Sequence, residues 1–214
     1  MKNSFQAEND FLLNSSPSRL AKWISHWEVF KEVQGLPGDI VEIGVHKGAS
    51  LMRWLTFREM TGGSFSRFVW GFDVFAEFPA SSFEPDIGAV RRFVNEGGSA
   101  LSLEELQALI VTKGFQENVR LVEGDVRGTI PSWANGNTDR RICLLHIDVD
   151  AYEPTRVVLD KLSKRIVPGG VILLDDYGKF PGETLAWDEF NSLGEWRLEK
   201  LPYHVNASLA RRIK

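Results

Sequence analysis

Short apolar runs alternate along the chain with stretches of helical periodicity. DIVEIGV (39–45), RFVWGFDVF (67–75), NVRLVEGDV (118–126), RRICLLHIDV (140–149) and GGVILLDD (169–176) read as strands. ASLMRWLTFREM (49–60) has helical spacing and stops at Gly62 and Gly63. EPTRVVLDKLSKRI (153–166) is a predicted helix with Pro154 near its first turn and PGG closing it, and WDEFNSL (187–193) reads as another. Strands that are apolar on both faces and separated by helices imply a parallel sheet covered on both sides. EWRLEKLP and NASLARRI predict a final antiparallel pair around a Pro-Tyr-His turn. The expected class is α/β, doubly wound and mostly parallel.

Two segments stand outside this alternation. SRLAKWISHWEVFKEV, within residues 1–36, predicts a tryptophan-rich amphipathic helix, suited to a lid or a dimer contact. Residues 76–117 are long for a crossover. Their second half, SLEELQALIVTKG, predicts a helix with a capping box, Ser102 with Glu105, and a stop at Gly114. Their first half, AEFPASSFEPDIG, has loop chemistry and suits either a lid or surface decoration. The expected organisation is a helical arm over 1–36 and a main domain over 37–214 with an insertion at about 76–117.

Composition narrows the function. The 214 residues carry a formal charge of -4 without a Lys/Arg run, which argues against a nucleic-acid surface. No apolar stretch reaches the ~18 residues of a membrane span. The start of the chain lacks the apolar core of a signal peptide, so a cytoplasmic location is expected. The single cysteine, Cys143, sits in an apolar run and reads as a buried small hydrophobe. No repeat or low-complexity segment is present.

The polar residues that interrupt the strands carry the candidate chemistry. In VEIGVHKGAS, Glu42 precedes Gly44-x-x-x-Gly48, where glycines permit either a purely structural tight turn or close approach of a ligand. This is not the G-x-G-x-x-G of dinucleotide folds, which argues against a nicotinamide-dependent enzyme. Asp73 ends the second strand and can accept a ribose or cap a turn; Asp125 ends the third and can meet an adenine or cap the next helix. His46 lies in the glycine turn within reach of a cofactor, whereas His146 reads as a core residue and His204 carries no signal.

Two acidic pairs are more unusual. Asp148 and Asp150 end one apolar strand, and Asp175 and Asp176 end the next. If those strands are neighbours, four carboxylates meet at one sheet edge, where like charges raise one another's pKa values. A divalent cation resolves the conflict, and the all-oxygen donor set favours Mg²⁺, with Mn²⁺ or Ca²⁺ as substitutes. Separate caps and ion pairs are the plainer reading.

VEIGVHKGAS, GFDVF, LLHIDVDAYEPT, VPGGVILLDDYG and GETLAWDEF, in this order and spacing, resemble the macrocin O-methyltransferase family over roughly residues 37–195. The resemblance implies a seven-stranded class I methyltransferase (Rossmann-like) sheet, S-adenosylmethionine and Mg²⁺. It places Glu42, Gly44, Val45, Gly48 and Ser50 around the methionine end of the cofactor, Asp73 at its ribose, Asp125 near its adenine and Asp148 also beside it. Asp148, Asp175 and Asp176 would bind the metal and Asp150 would be the general base. Tyr152, Tyr177, Lys179 and GETLAWDEF would lie near a small-molecule hydroxyl acceptor, expected to be a sugar. A catechol or phenol acceptor and a non-catalytic binding module are the rival readings, and a homo-oligomer through the N-terminal helix is a further expectation.

Overall fold

A computed structural model describes residues 3–203 and 205–213. The described residues form one seven-stranded sheet from β1 (Asp39–Ile43), β2 (Val69–Asp73), β3 (Val119–Glu123), β4 (Ile142–Ile147), β5 (Ile166–Leu174), β6 (Trp196–Lys200) and β7 (Ser208–Arg212). The strand order is β3-β2-β1-β4-β5-β7-β6. Pairings from β3 through β5 are parallel, and β7 is antiparallel to β5 and β6. This is the class I methyltransferase arrangement. The order reverses between β1 and β4, which opens a crevice at the carboxyl ends of those strands. His204, in the predicted turn of the final pair, lies outside the described residues.

The burial of β1 and β4 is continuous, because helices cover both faces. Alternate residues feed two cores. Ile40, Leu144, Val171 and Leu173 pack on one side with α2 (Pro17–Val33), α3 (Ala49–Thr61) and α5 (Leu103–Thr112). Val41, Ile43, Ile147, Ile172 and Leu174 pack on the other with α6 (Val126–Gly136), α7 (Tyr152–Leu162) and α8 (Pro181–Phe190). Cys143 is fully buried in the first core. It shares that side with Leu144 because the β4–β5 register shifts between Ile142 and Leu144.

Several boundaries depart from the sequence reading. EPDIG belongs to α4 (Glu84–Gly97), not to a loop. Pro85 lies in its first turn and Glu84 and Asp86 supply the acidic residues that a helix N-terminus favours. PGG does not close the helix before it; α7 ends at Leu162 and β5 already includes the three residues. The last helix begins at Pro181, six residues before the predicted WDEF segment. An added helix, α1 (Ser4–Asn14), escaped the periodicity because none of its residues is buried. The α5 capping box is present, and Gly114, at φ 73°, closes that helix as expected.

Candidate active site

The crevice is a cleft of about 1380 Å³ at the carboxyl ends of β1, β2, β4 and β5. Its floor begins at Gly44, whose φ of 89° suits glycine. A Cβ there would stand 1.8 Å from the Asp148 carbonyl oxygen, so the absence of a side chain lets the ends of β1 and β4 close on each other. Val45, Ala49 and Ser50 continue the wall, while Gly48 starts α3 with a φ of 75° and lies against Leu106.

Asp73 accepts the Val45 and His46 N–H groups at 2.7 Å each, and the Phe75 N–H at 2.8 Å. Its carboxylate braces the glycine turn while also lining the cleft. Asp125 caps α6, accepting from Arg127 N at 2.9 Å, and pairs with the Arg127 side chain, which holds its carboxyl below the usual range. Glu77, which the motif reading passed over, lines the same region.

Beneath the floor lies a buried polar layer. Glu42 is fully buried on β1, with the Ser50 hydroxyl donating to Oε1 and with Oε2 unpartnered. Burial pushes its pKa up to about 8, against the hydrogen bond from Ser50 and with help from nearby Asp148. His146, opposite Glu42 in the β1–β4 register, is also fully buried. His26 from α2 stacks on Trp54 at 4.5 Å between ring centroids, and Arg53 Nη1 lies 3.0 Å from His26 Nδ1.

The acidic pairs meet as expected, because Asp148 N donates to Ile43 O at 2.8 Å and Asp175 N to Ile147 O at 3.0 Å. Parallel pairing thus continues past the strand ends and brings all four carboxylates to the cleft. They divide unevenly. Oxygen atoms of Asp148, Asp150 and Asp176 lie within 4.8 Å of one another. Asp150 is buried at a φ of 58°, a left-handed conformation costly for a non-glycine residue and found preferentially at functional sites. Its Oδ1 has no hydrogen-bond partner. Burial, and then the neighbouring carboxylates, raise Asp148 and Asp150 well above the usual range. Glu183, from the first turn of α8, is fully buried beside this group and accepts the Asp176 N–H at 3.0 Å.

Asp175 has a different set of partners. Lys22 Nζ lies 2.7 Å from its Oδ2 and His146 Nε2 3.5 Å from its Oδ1. Burial opposes its ionisation, but Lys22 and His146 outweigh that and hold its pKa below the usual range. Lys179 lines the cleft and pairs with Asp176 Oδ1 at 3.1 Å.

The two tyrosines expected near the acceptor, Tyr152 and Tyr177, lie apart from the other site residues. Neither lines the cleft. The Tyr152 hydroxyl donates to Glu189 at 2.6 Å and the Tyr177 hydroxyl to Asp188 at 2.9 Å, so α8 draws both rings to its outer surface. GETLAWDEF mostly faces inward, with Gly182, Glu183, Ala186 and Trp187 buried.

Lys22 and His26 were missed although a signal existed. His26 lies on the buried stripe of α2 with Val29, Phe30 and Val33, and the half-buried Lys22 stands one turn before it. Polar residues at core positions are errors unless they are functional or satisfied.

Comparison with known proteins identifies the family and the fold. The sequence profile of the macrocin O-methyltransferase family (TylF) matches residues 19–198. The chain is 33% identical over 154 residues to 8-demethyl-8-(2,3-dimethoxy-alpha-L-rhamnosyl)-tetracenomycin-C 4'-O-methyltransferase of Streptomyces olivaceus, covering 67% of this chain and 54% of that protein. It is 28% identical over 162 residues to demethyldecarbamoylnovobiocin O-methyltransferase of Streptomyces niveus, covering 73% and 59%. The chain thus spans little more than half the length of these relatives. Among solved structures, CalS11, a calicheamicin methyltransferase, superposes with a TM-score of 0.77 at 25% identity, covering all of this chain and 87% of that one.

Proposed function

The chain belongs to the macrocin O-methyltransferase family, and from that premise we propose that it transfers a methyl group from S-adenosylmethionine to a hydroxyl of a sugar or glycosylated natural product, with the help of a divalent metal ion. The observation that carries the proposal is the gathering of Asp148, Asp150 and Asp176 beside the glycine-floored cleft. The sugar acceptor rests on the relative from Streptomyces olivaceus, whose name specifies a rhamnosylated substrate.

The residues fit the two absent groups. The metal donors, Asp148 and Asp176 with Asp175 beside them, are all carboxylates, as Mg²⁺ prefers, and Asp150 keeps an unpartnered oxygen next to them. Unsatisfied buried oxygens of this kind call for a ligand or an ion. In this reading Gly44, Val45, Gly48 and Ser50 bound the methionine end of the cofactor, with Glu42 beneath them. Asp73 orients the turn and, with Asp125, faces the nucleoside side. Asp148 and Asp176 hold the metal, and Asp175 adds a ligand when its own partners allow. When bound, S-adenosylmethionine supplies an electrophilic methyl group and the metal supplies positive charge that acidifies a nearby hydroxyl.

The chain's own work is positioning and proton transfer. Asp150 accepts the acceptor's proton at its free carboxylate oxygen, which faces the cleft beside Asp148 and Asp176. Segments 1–36 and 76–117 contribute Ser18, Arg19, Phe78 and Ser99 to the cleft wall, a placement that suits exclusion of water.

Asp150→Asn tests the assignment. It should keep S-adenosylmethionine and Mg²⁺ binding by calorimetry and lower turnover by roughly 100-fold or more. Turnover close to that of the parent would remove Asp150 as the base. A panel of glycosides and catechols with vicinal hydroxyls separates the sugar acceptor from a phenolic one.

A further inference from the structure

The carboxylates at the sheet edge already have a cation of their own. Lys22 comes from the core-facing stripe of α2, and its side chain is 24% exposed. Its ammonium group makes an ion pair of 2.7 Å with Asp175, while His146 faces the other Asp175 oxygen. His26, one turn beyond Lys22 on the same helix, belongs to the same cluster: ring nitrogens of His26 and His146 and an Asp175 oxygen lie within 4.8 Å of one another. Asp175 is therefore compensated by protein groups.

The neighbouring trio is compensated less closely. Asp148, Asp150 and Asp176 gather with an orphaned oxygen on Asp150. The close cation there, Lys179, is on a side chain more than half exposed.

We propose that Lys22 is a resident counter-cation that competes with the divalent metal for Asp175, so that metal loading and the seating of α2 on the sheet are linked. This rests on the reading of the carboxylate cluster as a metal site. Without metal, Lys22 holds Asp175 and pins the N-terminal helix to the end of β5. A metal that recruits Asp175 would face the Lys22 ammonium across one carboxylate, and withdrawal of Lys22 relieves that repulsion. The freed side chain stays in the cleft wall beside Arg19. Lys22 thereby sets the metal concentration at which the site fills.

The test is calorimetric titration of Mn²⁺ alone, in chelator-treated buffer, into the parent protein and the Lys22→Met, Asp175→Asn and Lys22→Met/Asp175→Asn variants. Lys22→Met should tighten Mn²⁺ binding at least about tenfold, because a competing positive charge is gone. In the Asp175→Asn background the same change should do little, because there is no shared carboxylate left to contest. Lys22→Arg keeps the charge and should bind Mn²⁺ close to the parent value. Should Lys22→Met fold poorly, Lys22→Gln serves the same comparison, and melting in Mn²⁺ against chelator gives a second readout: the uncharged variants should gain more from the metal than the parent does.

Unchanged or weaker binding in Lys22→Met would overturn the competition while leaving the metal site standing. An equal gain with and without Asp175 would also overturn it, since that is through-space repulsion. Mn²⁺ binding by none of the proteins would overturn both the competition and the metal-dependent reading on which it rests.

Discussion

Replacing Glu42 by Gln isolates the energetic cost of one buried carboxyl. Glu42 is fully buried, one of its oxygens is unpartnered, and its pKa stands at about 8 against an ordinary 4.5. Below pH 4.5 both folded and unfolded chains hold the proton, so the group contributes no pH dependence. Between pH 4.5 and about 8 the folded chain holds the proton and the unfolded chain does not, so stability falls as pH rises. The slope is about 1.4 kcal/mol per pH unit, which amounts to about 3 kcal/mol by pH 7 and about 4 kcal/mol by pH 8, where the folded group is itself half ionised. Above that both states are ionised and the loss is constant. Glutamine is a neutral near-isostere and can keep the acceptor that Ser50 uses. The variant should match the parent near pH 5 and exceed its unfolding free energy increasingly up to pH 8. Urea denaturation at pH 5, 6, 7 and 8 reads the difference, in which other unchanged groups cancel. A difference flat across that range would mean that Glu42 is ionised in the folded protein, with Arg53 and Lys22 compensating it, and would refute the reasoning. The same variant should weaken S-adenosylmethionine binding if Glu42 supports the cofactor's methionine end, a trade of function for stability common at such sites.

Two further changes probe the scaffold of the site. Gly44→Ala forces a side chain into a left-handed conformation and against the Asp148 backbone; a loss of about 3 kcal/mol, from strain and overpacking together, should appear as a lowered denaturation midpoint, and parent-like stability would contradict the close approach of β1 and β4. Asp86 is fully buried in α4 and accepts the N–H groups of Tyr152 at 2.8 Å and Gly182 at 2.7 Å, so it joins the insertion to the first turns of α7 and α8. Asp86→Ala should cost about 2–4 kcal/mol, from two donors left unpaired, whereas Asp86→Asn, which keeps an acceptor, should lose less; equal melting temperatures for the two variants would count against the bridge.

The central sheet was legible because its strands are buried on both faces, and continuous apolar runs such as ICLLHI have few other uses in a chain of alternating helices. The acidic pairs were legible because an apolar strand has no reason to end in two carboxylates. Their partners were not, since parallel register and helix docking, rather than local spacing, bring Lys22 to Asp175 across 153 residues of chain. The resemblance placed the two tyrosines near an acceptor, whereas the helix-starting turns bring their hydroxyls to Glu189 and Asp188 of α8. EPDIG was read as a loop because a proline and a glycine interrupt it, although it starts α4 and Asp86 buries its carboxylate against two helix N-termini. Asp73 shows the opposite case: both of its readings were open in the sequence, and three short backbone hydrogen bonds now account for the turn-bracing one.

A sheet edge can hold so many buried acids only if their charge is divided. Four aspartates and Glu183 surround a space that desolvation makes hostile to anions. The fold responds in two ways. Burial favours the protonated forms of Asp148, Asp150 and Glu183, while Lys22 and His146 favour the ionised form of Asp175. On the proposed reading, a divalent ion held by Asp148 and Asp176 would offset the clustered carboxylates and favour an ionised Asp150. The polar interruption of the α2 core stripe is thus as much a part of the site as the aspartates themselves. Lys22 and His26 occupy positions where an ordinary packing helix would carry leucine or valine, and they do so only over the stretch that crosses the carboxyl edge of β4 and β5.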